Sequence, residues 1–96
     1  MREREIERKL VNAVKKQGGL CWKFTSPGTA GVPDRILLMP KGRFAFVETK
    51  APGEKLRKLQ EKRKRQLESL GFKVFCLDSV ENIPKVISEI EGSDDK

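Results

Sequence analysis

The stretch that decides the fold is residues 31–50, which read GVPDRILLMPKGRFAFVETK. Two runs rich in apolar residues, 35–39 and 43–47, are separated by Pro40-Lys41-Gly42, whose residue types favour a turn. The pattern predicts a β-hairpin. Pairing of its two strands would bring the residues before the first strand next to those that end the second.

Charged residues occupy the open end of this predicted hairpin. Asp34 precedes the first strand, and Glu48 and Lys50 close the second. Because side chains alternate between the faces of a strand, Glu48 and Lys50 would share one face, and Thr49 would point to the other. Asp34 would then lie close to both. Two carboxylates with an ammonium group beside them predict a divalent-metal site at the rim of a sheet.

The composition indicates a polyanionic partner. The 96 residues carry a net charge of +7, and the isoelectric point is about 9.7. Nucleic acid is the first candidate. An acidic membrane surface is the second, although no apolar run approaches the roughly 20 residues that a spanning helix needs. The first residues lack the apolar segment of a signal peptide, so we expect a cytoplasmic protein.

The chain contains no histidine. This excludes histidine-dependent nucleases, zinc sites with histidine ligands and Ser-His-Asp chemistry.

Hydrophobic periodicity and turn residues place the other elements around the hairpin. In chain order we expect a helix over 3–17, a strand over 20–24, a small-residue loop over 25–31, the hairpin, a helix over 54–70, a strand over 72–77, a helix carrying apolar residues from Val80 to Ile90, and a disordered polar tail over 91–96. The order α-β-β-β-α-β-α predicts one α/β domain over 1–96, with helices flanking a central sheet. That sheet is mixed, because the last strand returns beside the hairpin through a crossover.

The second predicted helix carries a dense run of cations. Seven lysines and arginines lie between positions 55 and 65, with Glu61 the only acid among them. Such a run is usually a solvated helix face. Because this one begins a few residues after the carboxylates, we interpret it as a surface that holds nucleic-acid phosphates beside the metal. The residues assigned to DNA binding are Lys55, Lys58, Lys62 and Arg65.

These features make the chain resemble the PD-(D/E)XK nuclease superfamily and, within it, the stand-alone VRR-NUC type of phages and bacteria. The resemblance rests on Gly31-Val32-Pro33-Asp34, on Glu48-Thr49-Lys50-Ala51-Pro52-Gly53, and on the following Lys55-Leu56 and Gln60. It extends from the first helix to the strand that ends at Leu77. It implies a restriction-endonuclease-like core that hydrolyses DNA phosphodiesters with Mg²⁺ or Mn²⁺.

The resemblance also implies a role for each motif residue. Asp34 and Glu48 would hold the metal with the backbone carbonyl of Thr49, an oxygen donor set that suits Mg²⁺. Lys50 would orient the attacking water or stabilise charge that develops on the phosphate. Gln60 would bond to Lys50 or to the metal-bound water. The purely structural alternatives are a turn residue at position 34, an exposed strand end at 48–50, and an ordinary polar helix residue at position 60.

A further acid is expected from the first helix. Glu7 falls on the buried side with Ile6, whereas Glu5 falls on the opposite, solvated face. Glu3 shares the buried side but sits at the end that frays. In the family a first-helix glutamate adds to the metal centre, and Glu7 matches it best. The alternative for Glu7 is an acid favoured by the helix dipole.

The favoured interpretation is a metal-dependent DNA endonuclease that leaves a 5′ phosphate, acting in a bacterial cell and encoded there or by a phage. Small domains of this type resemble Holliday junction resolvases, and symmetric cutting of a branched substrate by one site per chain requires a homodimer. The apolar side of the third helix would form the dimer surface, unless it covers its own sheet. Trp22 is expected in the core, with contact to DNA as the alternative.

Two other classes of function remain open. A nucleic-acid-binding module without catalysis would use the basic run, but it has no use for carboxylates that repel phosphate. A basic structural protein of a ribonucleoprotein would explain the charge and not the acids.

Overall fold

The computed structural model describes residues 1–92, in which three helices flank a four-stranded sheet. In chain order the elements are α1 (Glu3–Lys16), β1 (Leu20–Lys23), β2 (Arg35–Met39), β3 (Arg43–Thr49), α2 (Lys58–Ser69), β4 (Lys73–Leu77) and α3 (Ile83–Gly92). Short 3-10 turns over Pro40–Gly42 and Val80–Asn82 precede β3 and α3. The predicted order α-β-β-β-α-β-α is confirmed.

The sheet is mixed, as the crossover through α2 requires. Its spatial order is β1-β2-β3-β4, with the first two pairs antiparallel and β3 parallel to β4. In the hairpin, Arg35 faces Val47 and Met39 faces Arg43. One more step in this register places Asp34 opposite Glu48, where the sequence predicts the site.

One face of the sheet carries the hydrophobic core. Alternation along β2 and β3 places Leu37, Ala45 and Val47 on this face, and all three are fully buried. The apolar residues of α1 recur every four positions and are fully buried against them: Ile6, Leu10 and Val14. Burying each such large apolar side chain stabilises the fold by roughly 1.5–3 kcal/mol. The core therefore holds the acidic first turn of α1 at the rim of the sheet.

α3 completes this same core. Its four apolar residues are at most 8% exposed and belong to the core cluster: Ile83, Val86, Ile87 and Ile90. The prediction that this helix offers its apolar side to a second copy is wrong, because its own chain covers that side. The homodimer itself stays a prediction.

α2 begins later than the sequence predicts. The Ala51 N–H donates to the Glu54 side chain at 3.2 Å, and the Glu54 N–H donates back to the Ala51 carbonyl at 3.0 Å, which closes a turn. The helix starts only after Arg57, whose N–H donates to Gln60 Oε1 at 2.9 Å. None of the twelve residues of α2 is fully buried. The helix therefore covers its face of the sheet incompletely.

Apolar side chains remain exposed on the face of the sheet that lies opposite the core. Leu20 and Trp22 alternate with the buried Cys21 and are 49% and 53% exposed. The prediction that Trp22 belongs to the core is wrong, because its position in β1 points it away from α1. Next to it lies an aromatic cluster whose ring centroids are 4.8 to 6.0 Å apart, formed by Phe24, Phe44, Phe46 and Phe72.

The described part of the chain ends with α3, at Gly92. The sequence predicts a disordered tail over 91–96, but Glu91 and Gly92 continue the helix, and 93–96 lie outside the described residues. Within residues 1–92, no helix is long and apolar enough to cross a membrane.

Candidate active site

The open end of the hairpin fixes Asp34 between two strands. Its carbonyl accepts a hydrogen bond from the Phe24 N–H at 2.9 Å, beyond the end of β1. One carboxylate oxygen accepts from the Thr49 N–H at 3.1 Å, and the other accepts from the Thr49 hydroxyl at 2.6 Å. Burial raises the pKa of Asp34, and the two bonds from Thr49 oppose that shift. Two bonds to the neighbouring strand hold this carboxylate more firmly than a turn residue requires.

Glu48 and Lys50 are buried where β3 ends, at 8% exposure each. Lys50 Nζ lies 3.8 Å from Glu48 Oε2. The Lys50 N–H donates to the Leu77 carbonyl at 2.9 Å, so β4 continues the pairing of β3 beyond Thr49. Burying charged groups costs free energy unless they are paired. The alternative of an exposed strand end is therefore wrong for both residues.

The surroundings of Glu48 disfavour the ionised form of its carboxyl group. Burial, followed by the negative charge of Asp34, raises the pKa of Glu48 to about 7, although Lys50 lowers it. A group with this pKa takes part readily in proton transfer near neutral pH. A cation bound beside it would stabilise its ionised form.

Gln60 connects this rim to α2. Its Nε2 donates to Glu48 Oε2 at 2.9 Å, while its Oε1 accepts from the Arg57 N–H that begins the helix. The sequence predicts a bond from Gln60 to Lys50 or to a metal-bound water. The structure instead pairs its amide with Glu48 and with the helix start, and not with Lys50, which makes Gln60 a positioning residue for Glu48. A bond to a metal-bound water stays a prediction.

The first turn and a half of α1 brings two acids to Asp34. Ligand oxygens of Glu3, Glu7 and Asp34 lie within 4.8 Å of one another. The placement of Glu7 agrees with the sequence prediction, and Arg35 donates to its Oε2 at 3.0 Å. Glu3 was missed because a helix end is expected to fray. Here the fully buried Ile6 anchors that end, so Glu3 is held beside the cluster.

Thr49 contributes a side chain as well as backbone. It is fully buried, and its hydroxyl and N–H both engage Asp34. Alternation along the strand predicts that Thr49 points away from Glu48. It does not predict the hydrogen bond from the Thr49 hydroxyl to Asp34. The role of its carbonyl as a metal ligand stays a prediction.

Close packing explains the glycine that opens the GVPD segment. Gly31 has a φ of +84°, and a Cβ there would lie 2.7 Å from Leu59 Cγ and 3.2 Å from the Leu59 backbone. Arg63 Nε donates to the Ala30 carbonyl at 2.8 Å and ties the same loop to α2. The loop before Asp34 is therefore pressed against α2, and only glycine fits at the contact.

Comparison with known proteins places this constellation in a family. The VRR-NUC domain family matches residues 1–81. The chain belongs to this family. A relative named "Putative nuclease p44", from Acyrthosiphon pisum secondary endosymbiont phage 1, is 49% identical over 79 residues, which are 82% of this chain and 85% of the relative. A solved structure described as a VRR_NUC domain superposes with a TM-score of 0.84 at 26% identity, covering 90% of this chain and 94% of the other.

The acidic groups of this VRR-NUC domain fit a divalent cation by the chemistry of their donor set. All are carboxylate oxygens, the hard ligands that Mg²⁺ and Mn²⁺ accept. Burial and the negative charges of Asp34 and Glu7 raise the pKa of Glu3. This mutual repulsion is what a bound cation would relieve.

The basic residues of α2 divide into two groups. Arg63 and Lys64 are used within the chain, since Arg63 holds the loop and Lys64 Nζ lies 2.7 Å from Glu68 Oε2. The residues predicted to bind DNA are all exposed: Lys55, Lys58, Lys62 and Arg65. Lys55 lies before the helix and not on it, because α2 begins at Lys58.

Proposed function

We propose that this VRR-NUC domain is an Mg²⁺-dependent DNA endonuclease that hydrolyses backbone phosphodiesters. The observation that supports this best is the joint burial of Glu48 and Lys50 beside Asp34, at a rim that Glu3 and Glu7 complete from α1. A structural role does not require three to four carboxylates at one place, because their mutual repulsion lowers stability. Binding a phosphate and a cation does.

Glu7, Asp34 and Glu48 would hold Mg²⁺ or Mn²⁺ with the Thr49 carbonyl, and Glu3 would join them. When bound, a divalent ion supplies a more acidic water and neutralises charge on the phosphate. Thr49 keeps the Asp34 carboxylate oriented through two hydrogen bonds, so the ligand geometry is set before the cation arrives.

Lys50 and Gln60 would act around the attacked phosphate. Lys50 lies 3.8 Å from Glu48, close enough to orient a water between them or to stabilise the charge that grows on the phosphate. Gln60 fixes one oxygen of Glu48, which leaves the other oxygen available for a proton or a ligand. The attacking water displaces the 3′ oxygen and leaves a 5′ phosphate, as the family resemblance implies.

The substrate we propose is branched DNA of the Holliday junction kind, cut by a homodimer. A four-way junction is two-fold symmetric, and two chains related by a two-fold axis present two equivalent sites. The exposed cations of α2, which are Lys58, Lys62 and Arg65, and Lys55 just before the helix would hold the flanking phosphates.

A panel of labelled DNA structures tests this proposal. Four-way junctions, flaps, nicked duplexes and plain duplexes are incubated with the protein in Mg²⁺ and in EDTA. We expect cleavage only in Mg²⁺, highest on four-way junctions. Binding in EDTA without cleavage in Mg²⁺ would instead identify a non-catalytic binding module, and equal cutting of all substrates would remove the junction preference.

Asp34→Asn is the matching variant, because it keeps the shape of the side chain and removes its charge. Cleavage should fall by at least about 100-fold, the upper range for residues that support a metal site. DNA affinity in EDTA should be equal or tighter, since a negative charge near phosphate is lost. Asp78→Asn, the same change at the end of β4, is the control and should cut like the wild type.

A further inference from the structure

A cleft of about 490 Å³ opens beside the first turns of α1, next to the acidic cluster formed by Glu3, Glu7 and Asp34. We call it the α1 cleft. Its lining consists of four cationic side chains and two carboxylates: Arg4, Arg8, Lys23, Arg35, Glu5 and Glu7. Glu7 belongs to both the cleft and the acidic cluster, so the two share a wall.

The cations of the α1 cleft are assembled against their own repulsion. Arg4 and Arg8 are four residues apart on one helix, where like charges destabilise. Lys23 and Arg35 are direct partners across the β1–β2 ladder, where like charges also destabilise. Glu5 and Glu7 lie among these cations and offset part of the repulsion, and a bound anion would offset more of it.

The two carboxylates of the cleft do not satisfy these cations. Glu5 accepts a hydrogen bond from the Arg2 N–H at 3.3 Å, at the start of α1. In the described part of the chain, Glu7 is paired with Arg35 alone. Within residues 1–92, Arg4, Arg8 and Lys23 form no ion pair, and the buried Nε of Arg35 has no hydrogen-bond partner. The cleft therefore keeps donor capacity for an oxyanion.

We infer that the α1 cleft binds the DNA backbone phosphate that lies next to the scissile one, on the α1 side of the acidic rim. This inference rests on the proposed nuclease function and extends it to a second contact surface. α1 packs on the core face of the sheet, whereas Gln60 of α2 reaches Glu48 from the other direction. A strand crossing the rim would thus be held by the α1 cleft on one side and by α2 on the other.

Arg35 gives this subsite a link to the acidic cluster. Its guanidinium lines the cleft and donates to Glu7, so a phosphate bound there would contact the same side chain that fixes a predicted metal ligand. Occupation of the cleft would then position Glu7 for the reaction.

The test compares Arg4→Gln/Arg8→Gln with Lys9→Gln/Lys15→Gln. Both pairs lie on exposed positions of α1 and remove two positive charges, but Lys9 and Lys15 do not line the cleft. Affinity for a short duplex is measured in EDTA over a range of salt concentrations. We expect the first variant to bind at least about ten-fold more weakly and to flatten the salt dependence by about one unit, because one phosphate contact is lost. The control pair should change the slope by less than about half of that.

Substitution of single phosphates by neutral methylphosphonates locates the contact. The wild type should lose affinity several-fold when a phosphate on one side of the cut is replaced, and Arg4→Gln/Arg8→Gln should show no further loss at that position alone. An identical methylphosphonate profile in wild type and variant would overturn the inference. If the wild type cuts no DNA in Mg²⁺ but the profile still differs, the nuclease proposal fails and the phosphate-binding cleft stands.

Discussion

At the scale of single residues, Glu48 shows how the site is prepared for a cation. It is 8% exposed, accepts a hydrogen bond from Gln60 and faces Lys50, yet its pKa is raised to about 7. Favourable contacts thus fail to offset burial and the charge of Asp34. The hydrophobic core must therefore offset the free-energy cost of burying this carboxylate.

This gives a prediction about stability in EDTA. The pKa of Glu48 is 4.5 in an ordinary environment and about 7 in the fold, so the folded chain holds a proton that the unfolded chain releases between these values. Stability is therefore lost as the pH rises through that window. Glu48→Gln cannot lose a proton. Between about pH 5 and about pH 8 the wild type should lose about 1–3 kcal/mol of unfolding free energy that Glu48→Gln keeps, at 1.36 kcal/mol per pKa unit.

Urea unfolding at the two pH values measures this difference. Glu89→Gln removes an exposed carboxylate from α3 and should follow the wild type at both. Equal pH dependence of Glu48→Gln and wild type would mean that Glu48 ionises normally in the fold. Adding Mg²⁺ should restore the wild type and not the variant, because ligand binding to the folded state stabilises it.

At the scale of elements, the loop before β2 is set by its contact with α2. Gly31 combines a positive φ with a close approach to Leu59, whereas Gly53 has the same φ of +84° in open space. Gly28, in the same loop as Gly31, has open space and no positive φ. These three glycines separate backbone strain from steric conflict.

Alanine substitution at each should give a graded result. Gly28→Ala should be nearly neutral, and Gly53→Ala should cost about 1 kcal/mol from its left-handed backbone. Gly31→Ala should cost about 2–4 kcal/mol, because overpacking adds to the same strain. Thermal melting would show the last as a fall of roughly 10 °C or more for a domain of this size. Equal losses at Gly31 and Gly53 would show that Leu59 moves aside freely.

α2 carries the prediction that separates a DNA-binding surface from a solvated one. Lys58→Gln, Lys62→Gln and Arg65→Gln together should weaken binding to all DNA sequences alike and flatten the salt dependence by about one unit for each lost contact. The control changes three exposed lysines elsewhere to glutamine: Lys9, Lys15 and Lys85. If both triple variants behave alike, α2 contributes only net charge.

At the scale of the whole molecule, the sequence predicts what depends on local pattern. The hairpin and the position of Asp34 opposite Glu48 follow from alternation and turn chemistry, and the mixed sheet follows from the crossover through α2. The sequence predicts packing between distant elements less well. The position of Glu3 depends on how tightly Ile6 is anchored, and the exposure of Trp22 depends on how much of the sheet α2 covers.

The same packing changes where a second chain could bind. α3 is used in the core, and β1 is an edge strand whose Leu20 and Trp22 remain exposed. Edge strands with open apolar side chains favour pairing with another chain. Symmetric junction cutting requires a homodimer. We therefore expect its two chains to meet at β1, around Leu20 and Trp22.

Light scattering at micromolar concentration should give the mass of a dimer for the wild type and a shift towards monomer for Trp22→Lys. Cutting of four-way junctions should fall as the dimer is lost. Nicking of plain duplex should persist, because each chain keeps its own acidic residues at the end of the hairpin. Asn12→Lys adds the same charge on an exposed turn of α1 and should leave the mass unchanged. A monomeric wild type would contradict the dimer. Unchanged mass with weaker DNA binding in Trp22→Lys would make the tryptophan a DNA contact, since an exposed indole can stack on bases as readily as it packs against a second chain.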